Sequence, residues 1–225
     1  ALSNIINPDL RWEKSRTYDV GLDFGLLGSR ITGSFDWYTR KSSDLLLNVP
    51  SMLSTGFSSY LDNAGEVKSK GWDLEITSHQ VRKADFSWST SFNISHNSNK
   101  VTKLDGEQKE ILIPSSFDIQ HSLLRIGEPM YSIYVVKQDG ILTQADIDAG
   151  AALYGSQKAG DPKYVDANGD GVIDANDRVI VGHPNPSYVW GITNNFKYKN
   201  FDLSFMFQGQ NGGHIYSLLG RALGR

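Results

Sequence analysis

Bulky apolar residues alternate with small or polar residues in six stretches of this chain. The clearest is residues 85–95, DFSWSTSFNIS, in which Ser or Asn follows each Phe, Trp, Thr or Ile. A β-strand has a side-chain period of two, so such a stretch forms a strand with one apolar and one polar face. The same alternation recurs in residues 18–26, 31–37, 72–77, 188–198 and 201–208.

The lengths of these stretches and the connections between them favour a membrane barrel. A strand that spans an outer membrane needs about 9–11 residues, more than the 5–6 usual in soluble domains. Tight turns at residues 28–29, 81–84 and 199–200 alternate with long segments at residues 41–70 and 97–187. Bacterial barrels have short periplasmic turns and long extracellular loops. The sequence therefore predicts an all-β fold, an antiparallel transmembrane β-barrel segment with its tight turns on the periplasmic side.

The segment 97–187 is too long for a simple loop, so we expect structure within it. Its residues 130–140 predict a strand, and residues 143–154 predict a short helix that begins near Asp146. The predicted organisation is one partial barrel over residues 1–225, with residues 97–187 as a long extracellular insert.

Composition excludes several classes of function. The chain has 225 residues, no cysteine and a net charge of -3, which excludes disulfide frameworks, cysteine-ligated metal sites and a basic surface for nucleic acid. Its mean hydropathy of -0.35 resembles that of soluble proteins, because every second residue of a barrel strand is polar. The first residues contain no signal peptide, and the last residues form no closing strand. We therefore expect a piece of a longer, exported protein.

A candidate calcium loop lies at residues 166–177, DANGDGVIDAND. It matches the D-x-[DN]-x-[DN]-G pattern, with Gly171 where the sharp turn requires a positive φ and Ile173 as an apolar anchor. The spacing predicts six metal ligands, with Val172 contributing its backbone carbonyl: Asp166, Asn168, Asp170, Val172, Asp174 and Asp177. Oxygen ligands alone favour Ca²⁺ over zinc or copper.

Two features of this loop leave an alternative open. Position twelve is Asp177 instead of the usual glutamate, and its shorter side chain makes bidentate contact harder. A strand-like run, residues 178–181, follows the loop where a helix is usual. The alternative is a turn rich in Asp and Asn that needs no ion.

The remaining candidates for chemistry are weak. The five histidines are scattered, and no nucleophile, zinc or phosphate-loop motif is present. The carboxylate pairs Asp73/Glu75 and Asp19/Asp23 follow strand alternation, which favours a lumen lining over a glycosidase acid pair. Four of the five tryptophans fall on predicted apolar faces, as in the aromatic girdles of barrels, and Trp12 stays unassigned. We therefore expect no enzyme.

Three segments carry a family resemblance. Residues 7–47 (NPDLRWEKSRTYDVGLDFGLLGSRITGSFDWYTRKSSDLLL), 63–77 (NAGEVKSKGWDLEIT) and 160–213 (from GDPKYVDANGDGVIDANDRVIVG to QGQNGG) occur in this order. They resemble the C-terminal barrel segment of SusC/RagA-type TonB-dependent receptors, the starch-utilisation type of the Bacteroidetes. The resemblance implies a 22-stranded plugged barrel in the cell outer membrane that imports an oligomeric nutrient, glycan or peptide. It also implies a SusD-like surface lipoprotein partner, and contact with TonB through a part outside this chain.

The main hypothesis is therefore a TonB-dependent nutrient importer, with calcium as a structural ion. The alternative is a secreted calcium-dependent β-sandwich that binds glycans, and a third possibility is a surface glycosidase. Strand length and the number of outward aromatic residues favour the importer over the sandwich.

Overall fold

Twelve β-strands and one short α-helix form most of the regular structure in the part of the chain that the computed structural model describes, residues 7–51, 53–57, 59–104, 108–114 and 120–217. In chain order the elements are β1 (Lys14–Leu26), β2 (Ile31–Pro50), β3 (Ser59–Arg82), β4 (Phe86–Lys103), β5 (Glu110–Pro114), β6 (Gln120–Arg125), β7 (Ser132–Val136), β8 (Gln138–Ile141), α1 (Gln144–Asp148), β9 (Pro162–Tyr164), β10 (Arg178–Gly182), β11 (Tyr188–Tyr198) and β12 (Phe201–Asn211). Two single-turn 3-10 helices lie at Leu53–Thr55 and Ala175–Asp177.

The strands form three sheets in two compact units. The first unit comprises Ala1–Ile111, Leu124–Met130 and Asn185–His214, and it contains a six-stranded antiparallel sheet in the order β1-β2-β3-β4-β11-β12. The second comprises Leu112–Leu123, Tyr131–Pro184 and Ile215–Arg225. A four-stranded sheet of order β10-β7-β6-β5 and the hairpin of β8 with β9 complete the topology. The predicted all-β, antiparallel fold is confirmed.

Each of the six alternating stretches lies in a strand of the large sheet, and the pairing aligns their faces. One apolar row crosses all six strands through Leu22, Phe35, Leu74, Ile94, Trp190 and Gly209. The adjacent polar row runs through Asp23, Ser34, Glu75, Asn93, Gly191 and Gln208. The sheet therefore has one apolar and one polar face, as the period of two requires.

The prediction of a long connection over residues 41–70 is wrong. Strand β2 continues to Pro50 and β3 begins at Ser59, so only a short link separates them. Alternation is lost after Lys41 because the pairing shifts register around Leu45, where Asp44 has φ +58°. The Asn63 amide donates to the Asp44 carbonyl oxygen at 2.7 Å and satisfies a backbone group that the bulge exposes.

The structure of the segment predicted as an insert differs from the prediction in three details. Strand β4 extends to Lys103 and so continues past residue 97. The strand predicted at residues 130–140 is two strands, since β7 pairs with β6 and β10 whereas β8 pairs with β9. The predicted helix is present but ends at Asp148, with Gly150 at φ +80° just beyond it.

The buried apolar side chains of the first unit lie towards the strand ends opposite the tight turns. They include Val49, Ala64, Val67, Val101 and Leu104. The middle of the apolar face is exposed instead, with Leu22 62 % and Phe207 61 % accessible. The described residues include no helix with the length and apolar character needed to cross a membrane.

Candidate functional site

The candidate calcium loop connects β9 to β10 in the second unit. Gly169 and Gly171 have φ values of +75° and +84°, a region that side chains other than glycine rarely adopt. The positive φ predicted for loop position six is therefore confirmed. These two residues turn the backbone so that its N–H groups point towards the acidic side chains.

The acidic side chains in the first half of the loop accept hydrogen bonds from its backbone. The two carboxylate oxygens of Asp166 accept the N–H groups of Gly169 at 2.6 Å and Gly171 at 2.8 Å. The Asn168 side-chain oxygen accepts the N–H of Asp170 at 2.9 Å, and Asp170 accepts the N–H of Val172 at 2.9 Å. Asn168 and Asp170 therefore form successive Asx turns, and Asp166 spans them by binding the N–H groups three and five residues on.

Asp177 closes the loop from the other end. Its carboxylate is fully buried and accepts the N–H groups of Ala167 at 2.8 Å and Asp174 at 2.7 Å, on opposite sides of the loop. The hydrogen bond from the Asp174 N–H contributes most to lowering the pKa of Asp177 below its usual value, and burial opposes it. An ionised Asp177 therefore joins the two ends of the loop.

Ile173 anchors the loop to the second unit, as predicted for position eight. It is 3 % exposed, and its N–H donates to the Leu153 carbonyl oxygen at 3.2 Å. Leu153 also forms an isolated parallel bridge with Val172. Asp174 begins the 3-10 helix Ala175–Asp177 as its N-cap, with its carboxylate accepting the Asn176 N–H at 2.6 Å.

The loop has the donor chemistry for Ca²⁺ but not a preformed cluster. Among the described residues, no group of three or more His, Cys, Asp or Glu side chains is arranged to hold a metal ion. The carboxylates of all four loop aspartates instead accept backbone N–H groups. Oδ1 of Asp177 accepts two of these bonds, from the N–H groups of Ala167 and Asn168. The other carboxylate oxygens keep lone pairs, so the six predicted ligands still fit a hard cation if their side chains converge. Calcium binding remains a prediction.

An ion pair near the loop was not predicted from the sequence. The Lys163 ammonium on β9 contacts the Asp146 carboxylate of α1 at 2.6 Å, which lowers the pKa of Asp146 below its usual range. Asp146 is also the third residue of a capping box with Thr143, and it accepts the Thr143 N–H at 2.9 Å. The Thr-x-x-Asp spacing is a sequence signal that could have predicted this cap, whereas only the fold brings Lys163 close.

The tryptophans predicted for an aromatic girdle share the apolar face of the large sheet. Trp37 is paired with Trp72, Trp88 with Phe196, and Trp190 with Ile94. The rings of Trp88 and Phe196 stack with centroids 5.5 Å apart. Trp12 lies outside the strands and is 92 % exposed.

The described histidines and carboxylate pairs form no catalytic arrangement. His96 contacts the Ser187 carbonyl oxygen through Nδ1 at 2.7 Å, and His121 stacks on Tyr216. Asp73 and Glu75 lie in consecutive polar rows of the sheet, whereas Asp19 and Asp23 on β1 lie two rows apart, with the row of Gly21 between them. These positions agree with the lumen lining expected from alternation.

Comparison with known proteins gives a consistent result. Residues 2–208 match the family model described as TonB dependent receptor-like, beta-barrel. The chain is 39 % identical over 224 residues to TonB-dependent receptor P3 of Formosa agariphila, covering 97 % of this chain and 22 % of that protein. It is 32 % identical over 219 residues to TonB-dependent receptor SusC of Bacteroides thetaiotaomicron, covering 93 % of this chain and 20 % of SusC.

Solved structures agree with these relatives. A structure of the RagAB peptide transporter superposes with a TM-score of 0.73 and 26 % identity, over 92 % of this chain and 22 % of that one. The open-open state of the RagAB peptide importer gives a TM-score of 0.77 at 24 % identity, which supports the fold alone. This chain therefore spans about a fifth of the length of the relatives that it matches.

Proposed function

Because this chain belongs to the family of TonB-dependent receptor β-barrels, we propose that the protein of which it forms part imports an oligomeric nutrient, a glycan or a peptide. The family resides in the bacterial outer membrane, so the predicted location is confirmed. It is a family of transporters and receptors, in keeping with the absence of a catalytic motif in the sequence.

The observation that carries this proposal is the exposed apolar face of the large sheet. Strands β1, β11 and β12 have 13, 11 and 11 residues, enough to cross the membrane. Leu203, Phe205 and Phe207 lie on this face of β12, and all three are exposed. A water-soluble sandwich buries its apolar face against a second sheet. A barrel wall places that face in lipid and leaves the polar face to a water-filled lumen.

The relatives support a proposal for the partners of the whole protein. The RagAB structures are named as a peptide transporter, and SusC is named as a TonB-dependent receptor. We propose a SusD-like surface lipoprotein as the partner outside the cell, and energy from TonB through a segment that is not in this chain. Glycan and peptide remain alternative classes of nutrient.

The candidate calcium loop has a structural role in this proposal. Asp166, Asn168, Asp170, the Val172 carbonyl, Asp174 and Asp177 would hold the ion. The bound charge would offset the repulsion among carboxylates that lie close together, so the loop between β9 and β10 would be less mobile. The residues of the large sheet do not contribute to this site.

Cell fractionation and uptake together test the function. The full-length protein is expected to enter the outer-membrane fraction and to require detergent for extraction. Cells that express it should accumulate a fluorescent oligosaccharide or peptide in the periplasm. A variant without its TonB-contacting segment is the matched control and should localise normally without accumulating cargo. Recovery of the protein in buffer without detergent would instead support the secreted sandwich.

A further inference from the structure

A cavity of about 740 Å³ lies within the second unit. Its volume is typical of sites that bind small organic ligands, which span roughly 300–1,000 Å³. Apolar, aromatic and charged side chains line it together, notably Val135, Lys137, Tyr154, Tyr164, Arg178 and Tyr216.

Tyrosine rings provide the flat surfaces of this cavity. Tyr216 stacks on His121 with ring centroids 4.4 Å apart and an interplanar angle of 16°. This stacking fixes the orientation of the Tyr216 ring. Tyr154 is 63 % exposed and Tyr164 is half-buried, which leaves both accessible to a ligand. Such rings combine an apolar face with a polar hydroxyl, as required to contact the C–H face and hydroxyl groups of a sugar ring.

Two cationic side chains give the lining of the cavity a net positive charge. Lys137 and Arg178 line it together with a single carboxylate, that of Asp174. The Asp174 carboxylate already accepts the backbone N–H and the side-chain amide of Asn176, at 2.6 and 3.2 Å. Neither Lys137 nor Arg178 takes part in the ion pairs seen among the described residues. These two side chains therefore favour a ligand that carries a carboxylate or sulfate group.

The candidate calcium loop builds one side of the cavity. Ile173, Asp174, Ala175 and Arg178 line it. Ala175 begins the 3-10 helix that the buried Asp177 carboxylate holds, and the other three lie just before or after this helix. The position of Arg178 thus depends on a loop that is closed by hydrogen bonds at both ends.

The backbone of the cavity wall favours a saccharide over a peptide. Peptides commonly bind by adding a strand to a sheet edge. Val135 and Val136 lie on β7 and pair with Val179 and Arg178 of β10, which is the edge strand of its sheet. That edge has only five residues and a register shift between Ile180 and Gly182, and β8 and β9 have only four and three residues. Short and bulged edge strands resist the addition of a further strand. The groups available for recognition are side chains, namely rings and cations.

We propose that this cavity binds a segment of an anionic oligosaccharide, with sugar rings against Tyr154 and Tyr164 and an acidic group near Lys137 and Arg178. The assignment rests on the proposed function, because it selects one class of cargo from those an importer of oligomers could carry. It adds a recognition site in the second unit.

Titration calorimetry on the purified full-length receptor in detergent tests this proposal. The probes are trigalacturonate, neutral maltotriose and the acidic tripeptide triglutamate. Trigalacturonate is expected to bind more tightly than either other probe. Lys137→Gln should weaken its binding about tenfold, as expected when a charge-assisted hydrogen bond is lost. Lys158→Gln is the matched control, because Lys158 is exposed in the same unit but does not line the cavity, and it should bind as wild type does.

The aromatic contribution is tested separately at Tyr154. Tyr154→Ala should weaken the binding of trigalacturonate, whereas Tyr154→Phe, which keeps the ring, should retain most of it. Equal binding of triglutamate, or an unchanged affinity in Lys137→Gln and Tyr154→Ala, would overturn the proposal. If the receptor still transports another cargo under TonB energy, only this inference fails, whereas loss of outer-membrane localisation or of all uptake counts against the proposed function itself.

Discussion

Asn194 accepts a hydrogen bond from the indole N–H of Trp88 at 3.2 Å, on the apolar face of the large sheet. The same amide oxygen accepts the Thr90 hydroxyl at 2.7 Å. Asn194 interrupts the apolar alternation of β11, because Ile192 and Phe196 lie on the same face on either side of it. A polar group that faces lipid has no water to bind, so its partners must come from the neighbouring strand. Asn194 therefore satisfies two donors of β4 that lipid cannot satisfy.

Replacing Asn194 with alanine should destabilise the sheet. The Trp88 and Thr90 donors would lose their acceptor in a non-polar environment, at a cost of about 1–3 kcal/mol. Asn195→Ala is the matched control, because Asn195 lies on the polar face opposite Ser89. The measurement is the urea midpoint of the full-length protein in detergent micelles. Equal midpoints for the two variants would show that the Asn194 amide is not needed.

Arginine substitutions at Phe205 and at Ser204 should have different effects on assembly of the protein. Phe205 contacts the rings of Phe196 and Phe207, with centroids 5.9 and 5.8 Å apart, whereas Ser204 lies on the polar face. Arginine at a lipid-facing position near the middle of the membrane costs about 2–4 kcal/mol. Phe205→Arg should therefore reduce assembly into the outer membrane more than Ser204→Arg, as measured by heat-modifiable gel mobility. Similar assembly of both would contradict the predicted orientation of the two faces.

Gly209 is required by the ring of Trp190. A Cβ atom at Gly209 would lie 2.6 Å from the indole, which packs over the glycine from the adjacent strand. Gly209→Ala should therefore displace the ring and cost about 1–3 kcal/mol, as overpacking commonly does. Gly25→Ala is the control, since nothing lies within 4 Å of a Cβ there. The readout is the unfolding midpoint, together with the tryptophan fluorescence. A Gly209→Ala variant as stable as Gly25→Ala would contradict this packing.

Acid should loosen the link between α1 and β9. The Lys163 ammonium lowers the pKa of Asp146, so this contact stabilises the native state above the ordinary aspartate pKa of about 4 and is lost progressively as pH falls below it. Limited proteolysis with an acid-active protease should cut residues 143–163 faster at pH 3 than at pH 5. Asp146→Asn should be cut faster already at pH 5 and depend less on pH. A wild-type rate that is the same at both pH values would exclude this role for Asp146.

Calcium should protect the loop between β9 and β10 if the predicted ligands converge. Wild-type protein is expected to bind calcium with oxygens about 2.3–2.6 Å from the ion, and a chelator should increase cleavage of residues 166–177. Asp170→Ala should be cut rapidly with or without chelator. Asp161→Ala, which removes the acceptor for the Lys158 N–H outside the loop, should keep the response. The assignment fails if the wild-type protein binds no calcium at millimolar supply and the chelator has no effect.

Local patterns predicted the parts of this structure that depend on nearby residues. Alternation identified all six strands of the large sheet, and the loop spacing identified the positive φ of Gly171 and the buried Ile173. The ends of β2 and β3 were missed because a bulge at Asp44 breaks the period while the pairing continues. The contact of Lys163 with Asp146 was missed because only the fold sets the distance between them.

The junction between β4 and β11 has a consequence for the order of folding. Because tight turns connect them, three pairs of neighbouring strands can form early in folding: β1 with β2, β3 with β4, and β11 with β12. The β4–β11 pairing must instead close a loop that begins after Lys103 and ends at Tyr188. Closure of a long flexible loop has an entropic cost, and that cost falls if the intervening chain has already collapsed. We therefore expect the second unit to fold early and to act as a folded linker. The pairing of β4 with β11 should be among the last contacts to form.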